Sequence, residues 1–204
     1  GFGFALLYTT VGIPLARYAD VANRVWIMTV CVALWSLMTA LCGLATEVTI
    51  GSITIGAFWI LLMCRVGVGI GEAGCTPPAN SLIADYFIPR ERSQALGFYA
   101  MGVTLGTMVA NIVGGWVTDM FDWRTAFFVV GLPGLLVALV FKLTVKEPPR
   151  GYTDPPQAVQ KERASLGEAI HELLGKPAFW LMTAGATIAA FCGYGISSFQ
   201  SLFL

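Results

Sequence analysis

The chain has 204 residues, of which 56% are apolar and 12% charged, about half the charged share of an ordinary soluble domain. Twelve Lys/Arg balance twelve Asp/Glu, which excludes the overall basic footprint of a nucleic-acid-binding protein. A single histidine, His171, leaves little for a His-based metal site. The five cysteines (Cys31, Cys42, Cys64, Cys75 and Cys192) contain no C-x-x-C pair and read as small packing residues.

Long uncharged stretches alternate with short charged clusters. A bilayer-spanning helix needs about 20 mainly apolar residues. Taken in chain order, the stretches predict an all-α membrane protein with six spans, at roughly residues 1–17, 25–46, 55–85, 93–118, 125–145 and 178–204. Strands are not expected in these runs. They lack period-2 alternation, and only helices or closed barrels satisfy their backbone in hydrocarbon. The first run has no basic leader and is not a signal peptide. It opens inside an apolar stretch, and the last run stops at Leu204 without a polar anchor, so the chain reads as part of a larger protein.

The loop after the first span carries Arg17, Asp20 and Arg24. Asp20 and Arg24 sit at the mouth of the bundle, where they can pair with each other or with neighbouring helix ends and act as a gate. The next loop holds only Glu47. The third span contains two ionisable residues, Arg65 and Glu72. Seven residues apart on a helix, they share one face about 10 Å apart along the axis. An intramembrane charge is expensive and functional by default, so this face is expected to line a cavity, with Glu72 carrying a coupling proton and Arg65 holding an anion or acting as its charge partner. The competing reading is a structural ion pair. Burial disfavours the charged carboxyl and Arg65 favours it, and the sequence leaves the balance open. Gly67-x-Gly69-x-Gly71 is no phosphate loop, lacking a preceding strand and a following Lys-Ser/Thr. Gly67 and Gly71 instead permit close helix approach, and Pro77-Pro78 predict a kink beyond Glu72. Thr76, Asn80 and Ser81 add polar groups.

After the loop containing Asp85, Arg90, Glu91 and Arg92, the fourth span carries Gly102, Gly106, Ala110 and Gly114, a small-residue stripe for helix packing or sliding. Asn111 lies one position off it. Tyr99, Thr104 and Trp116, with Tyr194, Ser197, Ser198 and Gln200 in the last span, are candidate cavity residues, although each alone is more often a packing residue. Asp119, Asp122 and Arg124 lie in the following loop. Residues 146–176 form the one soluble segment. Glu147-Pro148-Pro149-Arg150-Gly151 stops a helix and Pro155-Pro156 continues an extended linker. Ser165 and Glu168 make a capping box for a short amphipathic surface helix through Leu174, with His171 on its wet face. Alternate loops hold ten of the twelve basic residues and the opposite loops one, which places the linker in the cytoplasm.

Several segments resemble the major facilitator superfamily. Pro14–Arg24 is similar to its G-x-x-x-D-R-x-G-R-R motif, with Asp20 and Arg24 at the acidic and a later basic position and Ala16, Val21, Asn23 and Val25 departing from it. The stripe through Gly102, Gly106 and Gly114 resembles its span-five glycine motif without the usual proline. Arg65 to Pro78, Asp85-Tyr86-Phe87 and Asp122 to Phe128 resemble the Spinster branch. The resemblance implies a partial superfamily bundle, family spans two to seven. Residues 1–145 are then the rest of the N-terminal half, 146–176 the linker and 177–204 the first span of the C-terminal half; span one and spans eight to twelve are absent partners. It also implies an integral multi-pass protein, here of a bacterial inner membrane, that is a non-enzymatic secondary transporter working by alternating access. Proton coupling through Glu72 and a lysolipid or sphingosine-phosphate-like substrate follow from it, with no cofactor, metal or nucleic acid. The alternatives are a transporter of a small organic anion or drug, or a non-transporting scaffold. A membrane enzyme would need clustered catalytic groups, and the sequence has neither H-x-x-x-H nor a Ser/His pair.

The orientation is testable with a membrane-impermeant maleimide in a background lacking Cys192. Glu47→Cys is expected to be labelled from outside and Arg90→Cys to be protected; the opposite pattern overturns the topology.

Overall fold

The computed structural model describes residues 2–50, 53–154 and 166–199. The chain divides into two compact units, Gly1–Val159 and Gln160–Leu204. In the first unit run α1 (Phe2–Ala19), α2 (Arg24–Cys42), a hairpin of β1 (Val48–Ile50) and β2 (Ile53–Ile55), α3 (Ala57–Ala73), α4 (Thr76–Tyr86), α5 (Arg92–Met120) and α6 (Trp123–Thr144). The second unit holds α7 (Leu166–Leu174) and α8 (Pro177–Phe199).

Helices occupy all six expected spans. Four helical stretches are long and apolar enough to cross a membrane: Arg24–Cys42, Ala57–Tyr86 taken through its break, Arg92–Met120 and Trp123–Thr144; Pro177–Gly193 is a shorter apolar stretch. Their ends follow local chemistry. Asn23 caps α2, its Oδ1 accepting from Trp26 N at 2.7 Å. Asp122 caps α6, accepting from Thr125 N at 2.6 Å. Hydrogen bonding by Thr125, chiefly through its side chain, holds the Asp122 carboxyl below the ordinary carboxylate range.

Two local expectations change. The run at 55–85 is not one helix: α3 stops at Ala73, Cys75 N donates to Glu72 O at 3.1 Å, and α4 starts at Thr76. Pro77 and Pro78 lack the N–H a continuing helix needs, so they fall in the first turn of a new one, where no such bond is required. The break therefore precedes the prolines. Strands, absent from the sequence reading, occur as one antiparallel hairpin, Val48 opposite Ile55, Thr49 opposite Thr54 and Ile50 opposite Ile53. Its β-branched residues flank Gly51-Ser52. It joins α2 to α3 along the chain.

Within the first unit α2 is the central packing element, lying chiefly against α6 and α3. Glycines set both approaches. A methyl group at Gly67 would lie 2.6 Å from Met38 Cγ, and one at Gly71 2.8 Å from Cys31 O. On the α6 side a methyl at Gly131 would lie 2.7 Å from Ala40 N, and one at Gly134 would strike Ser36 Oγ. Ser36 Oγ is buried and has no hydrogen-bond partner among the described residues. Ala19 at the end of α1, Ile27 and Cys31 of α2 and Cys75 at the α3–α4 break form a small buried cluster. The α5 stripe differs: no described atom lies within 4 Å of a methyl placed at Gly102, Gly106 or Gly114. Whatever this stripe packs on is not among the described residues.

In the second unit, Trp180 Nε1 donates to Leu174 O at 3.1 Å and Lys176 pairs with Glu172 at 2.6 Å, joining α7 to the start of α8. His171 is exposed. The expected cap at Ser165, the Pro155-Pro156 linker and Gln200 lie outside the described residues, as do the side chains of Tyr194, Ser197 and Ser198.

Gly131→Ala is expected to destabilise the protein by about 1–3 kcal/mol, because the methyl meets main chain that cannot yield. Gly97→Ala, beside open space, is expected to leave stability unchanged or slightly raised. Thermal unfolding in detergent measures both.

Candidate functional site

Two groups of polar residues stand out in the first unit. One is the face of α3 that carries Arg65 and Glu72. The glycine face of α3, Gly67 and Gly71, is pressed on α2, and the helical period turns Arg65 and Glu72 away from that contact. Both are exposed, and among the described residues neither belongs to an ion pair. Glu72 sits in the last turn of α3, directly before the break. Thr76 and Asn80 continue the exposed line into α4. The arrangement leaves a titratable carboxyl and a permanent cation on one open surface, free to meet a ligand or another helix.

The second group gathers on Arg24, the first residue of α2, which is 1% exposed. Burying a guanidinium is costly unless its charge and its N–H groups are all matched. Arg24 Nη1 pairs with Asp85 at the end of α4 and donates to Ser81 Oγ at 2.8 Å. Its Nε pairs with Glu147 at 2.6 Å, and Nη2 donates to Pro148 O at 3.1 Å. Glu147 also accepts from Val25 N at 3.0 Å, placing a carboxylate on the electropositive first turn of α2. Asp85 Oδ1 in turn accepts from Gly151 N at 2.9 Å. Gly151 has φ 71°, a backbone state open to glycine and strained for other residues.

The segment after α6 is thereby strapped across four helix ends. Arg150 Nη2 donates to Ala19 O at 2.8 Å and Ala22 O at 2.9 Å, closing the end of α1. Thr153 Oγ1 lies 2.9 Å from both Ala84 O and Phe87 O at the end of α4. Arg92, opening α5, pairs with Asp154 at 2.5 Å and donates to Phe87 O at 3.1 Å. Residues 146–154, read from sequence as the start of a free linker, are thus docked on the first unit.

The structure brings Arg24 to helix ends rather than to Asp20, which lies exposed in the α1–α2 turn, its amide donating to Arg17 O. Asp85, Glu147 and Arg150 were not among the sequence-derived candidates. The available signal was indirect. An arginine at a span boundary that is to be buried requires carboxylates, and Asp85 and Glu147 stand at the ends of two other spans that reach the same side. Among the described residues no group of three or more His, Cys, Asp or Glu could hold a metal ion. Cys31, Cys42, Cys64 and Cys75 are buried free thiols.

A bundle of membrane-length helices organised around a buried arginine at the end of one span is the architecture of a polytopic membrane protein. The family model for the Major Facilitator Superfamily matches residues 1–204, and the chain belongs to that superfamily. Within it the chain is Spinster-like. It is 33% identical over 199 residues to human protein spinster homolog 1, a match covering 94% of this chain and 35% of that protein. An MFS-type efflux pump of Mycolicibacterium smegmatis is 31% identical over all 204 residues, 44% of its length. Among solved structures, a bacterial homolog of the human lysosomal transporter Spinster, in an inward-facing and unoccupied conformation, superposes with TM-score 0.74 at 44% identity, covering 98% of this chain and 45% of that one. The occupied inward-facing form superposes with TM-score 0.71. The chain thus spans less than half the length of these relatives.

Arg24→Gln is expected to cost about 3–5 kcal/mol by leaving the buried Asp85 and the half-buried Glu147 without their cation, and Arg24→Lys to recover only part of it because an ammonium lacks the planar fork. Asp20→Asn, at an exposed turn, is expected to stay within about 0.5 kcal/mol of the parent. Thermal or denaturant unfolding in detergent distinguishes the three.

Proposed function

We propose that the chain is part of a secondary active transporter that works by alternating access, with Glu72 as the proton-coupling group and Arg65 as the anchor for an anionic substrate group. The observation that carries this reading is the open face of α3. A carboxyl and a guanidinium share it, turned away from the glycine contact with α2, and no ion pair among the described residues consumes either. A group that loads and releases a proton must be reachable from each side in turn, and the break at Gly74–Cys75 directly after Glu72 gives the helix a place to bend. The substrate we infer is an amphiphilic anion of lysolipid or sphingosine-phosphate type. The Spinster likeness supports an amphiphile, and Arg65 suits a phosphate or carboxylate head.

The hub at Arg24 belongs to the inward gate, with Asp20 on the exposed turn beside it. The basic loops support a cytoplasmic position for this end and for the linker, in a bacterial inner membrane. The completed protein would add family span one and spans eight to twelve. A second reading, export of a drug or small organic anion, is favoured by the whole-chain likeness to a protein described as an efflux pump. It keeps the same roles for Glu72 and Arg65 and differs only in the ligand.

The test is uptake by the full-length protein in liposomes with and without an imposed pH gradient. Glu72→Gln is expected to abolish gradient-driven accumulation while still inserting, Glu72→Asp to retain part of it, and Arg65→Lys to fall well below the parent for a phosphate-bearing substrate. Undiminished accumulation by Glu72→Gln removes the proton role. Uptake of organic anions with no uptake of lysolipid transfers the assignment to the second reading. Asp20→Asn is expected to shift the inward–outward balance in an accessibility assay.

A further inference from the structure

We propose that Cys31 and Cys75 are a redox-sensitive staple, which a small neutral oxidant of the halogen type closes into a disulfide and thereby fixes the α3–α4 break to α2. The two thiols stand on opposite sides of one contact. Cys31 lies within α2, and Cys75 is the N-cap residue of α4, directly after the break. Both are buried, in one cluster with Ala19 and Ile27. A methyl placed at Gly74 would strike Cys31 Sγ, so that sulfur fills the notch next to Cys75. From the other side, Cys75 Sγ lies 4.0 Å from Met28 O, about one turn of α2 before Cys31. Each sulfur thus reaches the backbone of the element that carries the other.

A disulfide needs its two Cα atoms about 4.4–6.8 Å apart, closer than the usual 8–10 Å or so between packed helix axes. Gly71 supplies that approach. A methyl there would lie 2.8 Å from Cys31 O and 3.0 Å from Trp35 N, so main chain meets main chain one turn from Cys75. The same antiparallel register, with Gly67 on Met38 and Gly74 on Cys31, sets Cys42 of α2 beside Cys64 of α3, both buried. That second pair is about three turns from the break. A bond there joins α2 to α3 and leaves the break free, so it serves as an internal comparison.

Burial screens these thiols from bulky and charged reagents, whereas a halogen molecule enters hydrocarbon. Molecular iodine turns one thiol into a sulfenyl iodide, breaking the I–I bond and releasing HI. The second sulfur displaces iodide, forming the S–S bond and releasing a second HI. Two electrons pass from the two sulfurs to iodine, and the disulfide is left uncharged among apolar neighbours. The adjacent thiol intercepts the first product before water carries it further up the oxidation ladder. The consequence falls on Glu72, whose carbonyl accepts from Cys75 N across the break. With α3 already seated on α2 through Gly67 and Gly71, a bond from Cys75 to α2 removes the freedom to bend there. That effect on function rests on the transport reading; the cross-link does not.

The test treats the full-length protein in liposomes with iodine, blocks the remaining thiols with N-ethylmaleimide under denaturing conditions, and maps the disulfide-linked peptides. Cys75 is expected to be recovered joined to Cys31. Recovery of Cys75 joined to a different cysteine, or fully alkylated while Cys42 and Cys64 are joined, overturns the staple. Under a pH gradient, iodine is expected to lower substrate accumulation by the parent about fivefold or more, and that by Cys31→Ala less than about twofold. Equal loss in both overturns the switch, because the Cys31→Ala protein keeps every other oxidisable side chain; a mapped Cys31–Cys75 bond with undiminished accumulation overturns it as well. A parent with no gradient-driven accumulation before oxidation fails the transport reading alone, and the mapped peptides still decide the staple.

Discussion

A guanidinium taken out of water imposes its own architecture. Arg24 is almost fully buried at the end of a membrane-length helix, and a charge there is tolerated only when partners surround it. Its partners come from far along the chain: Ser81 and Asp85 from α4, Glu147 and Pro148 from beyond α6. Meeting that one requirement gathers the ends of α2 and α4 and the segment after α6 into a single polar knot. Arg150, Thr153 and Arg92 extend it to the ends of α1 and α5. Backbone carbonyls at helix ends that would otherwise need water or a local cap are closed by side chains more than sixty residues away.

The rest of the bundle hangs from α2. Above the knot, α2 meets glycine faces on both sides, α3 through Gly67 and Gly71 and α6 through Gly131 and Gly134. In hydrocarbon the contact between helices gains nothing from expelling water, so close approach and dispersion must supply it. The same geometry leaves a second consequence. Once the glycines of α3 are committed to α2, the remaining face is the one bearing Arg65 and Glu72, and it cannot be buried against α2. The polar line therefore stays open in this unit.

The two polar groups thus differ in physical character. At Arg24 one guanidinium holds two carboxylates through several bonds, so the site resists change. At Glu72 the carboxyl has no ion pair among the described residues and lies beside a helix break.

The sequence by itself determined the helices, because each span is long, apolar and bounded by charge, and the bilayer permits little else. It also determined that Arg65 and Glu72 share a face, since a seven-residue spacing on a helix leaves no choice. It marked Gly67 and Gly71 for the close approach they make, but not their partner helix, and it did not mark Gly131 and Gly134. The stripe Gly102, Gly106 and Gly114 on α5 has the better pattern, yet Gly131 and Gly134, separated by three positions and interrupted by Pro133, make the close contact. Spacing shows that a helix can be approached, not which neighbour approaches it. The hairpin of β1 and β2 was hidden because an eight-residue stretch with six β-branched residues next to a span reads as part of that apolar run. Only the tertiary structure decided that Arg24 answers to Asp85 and Glu147 rather than to Asp20. The bonds join residues 61 and 123 positions apart, and no local period or motif spacing carries information over that distance; burial of the charge does.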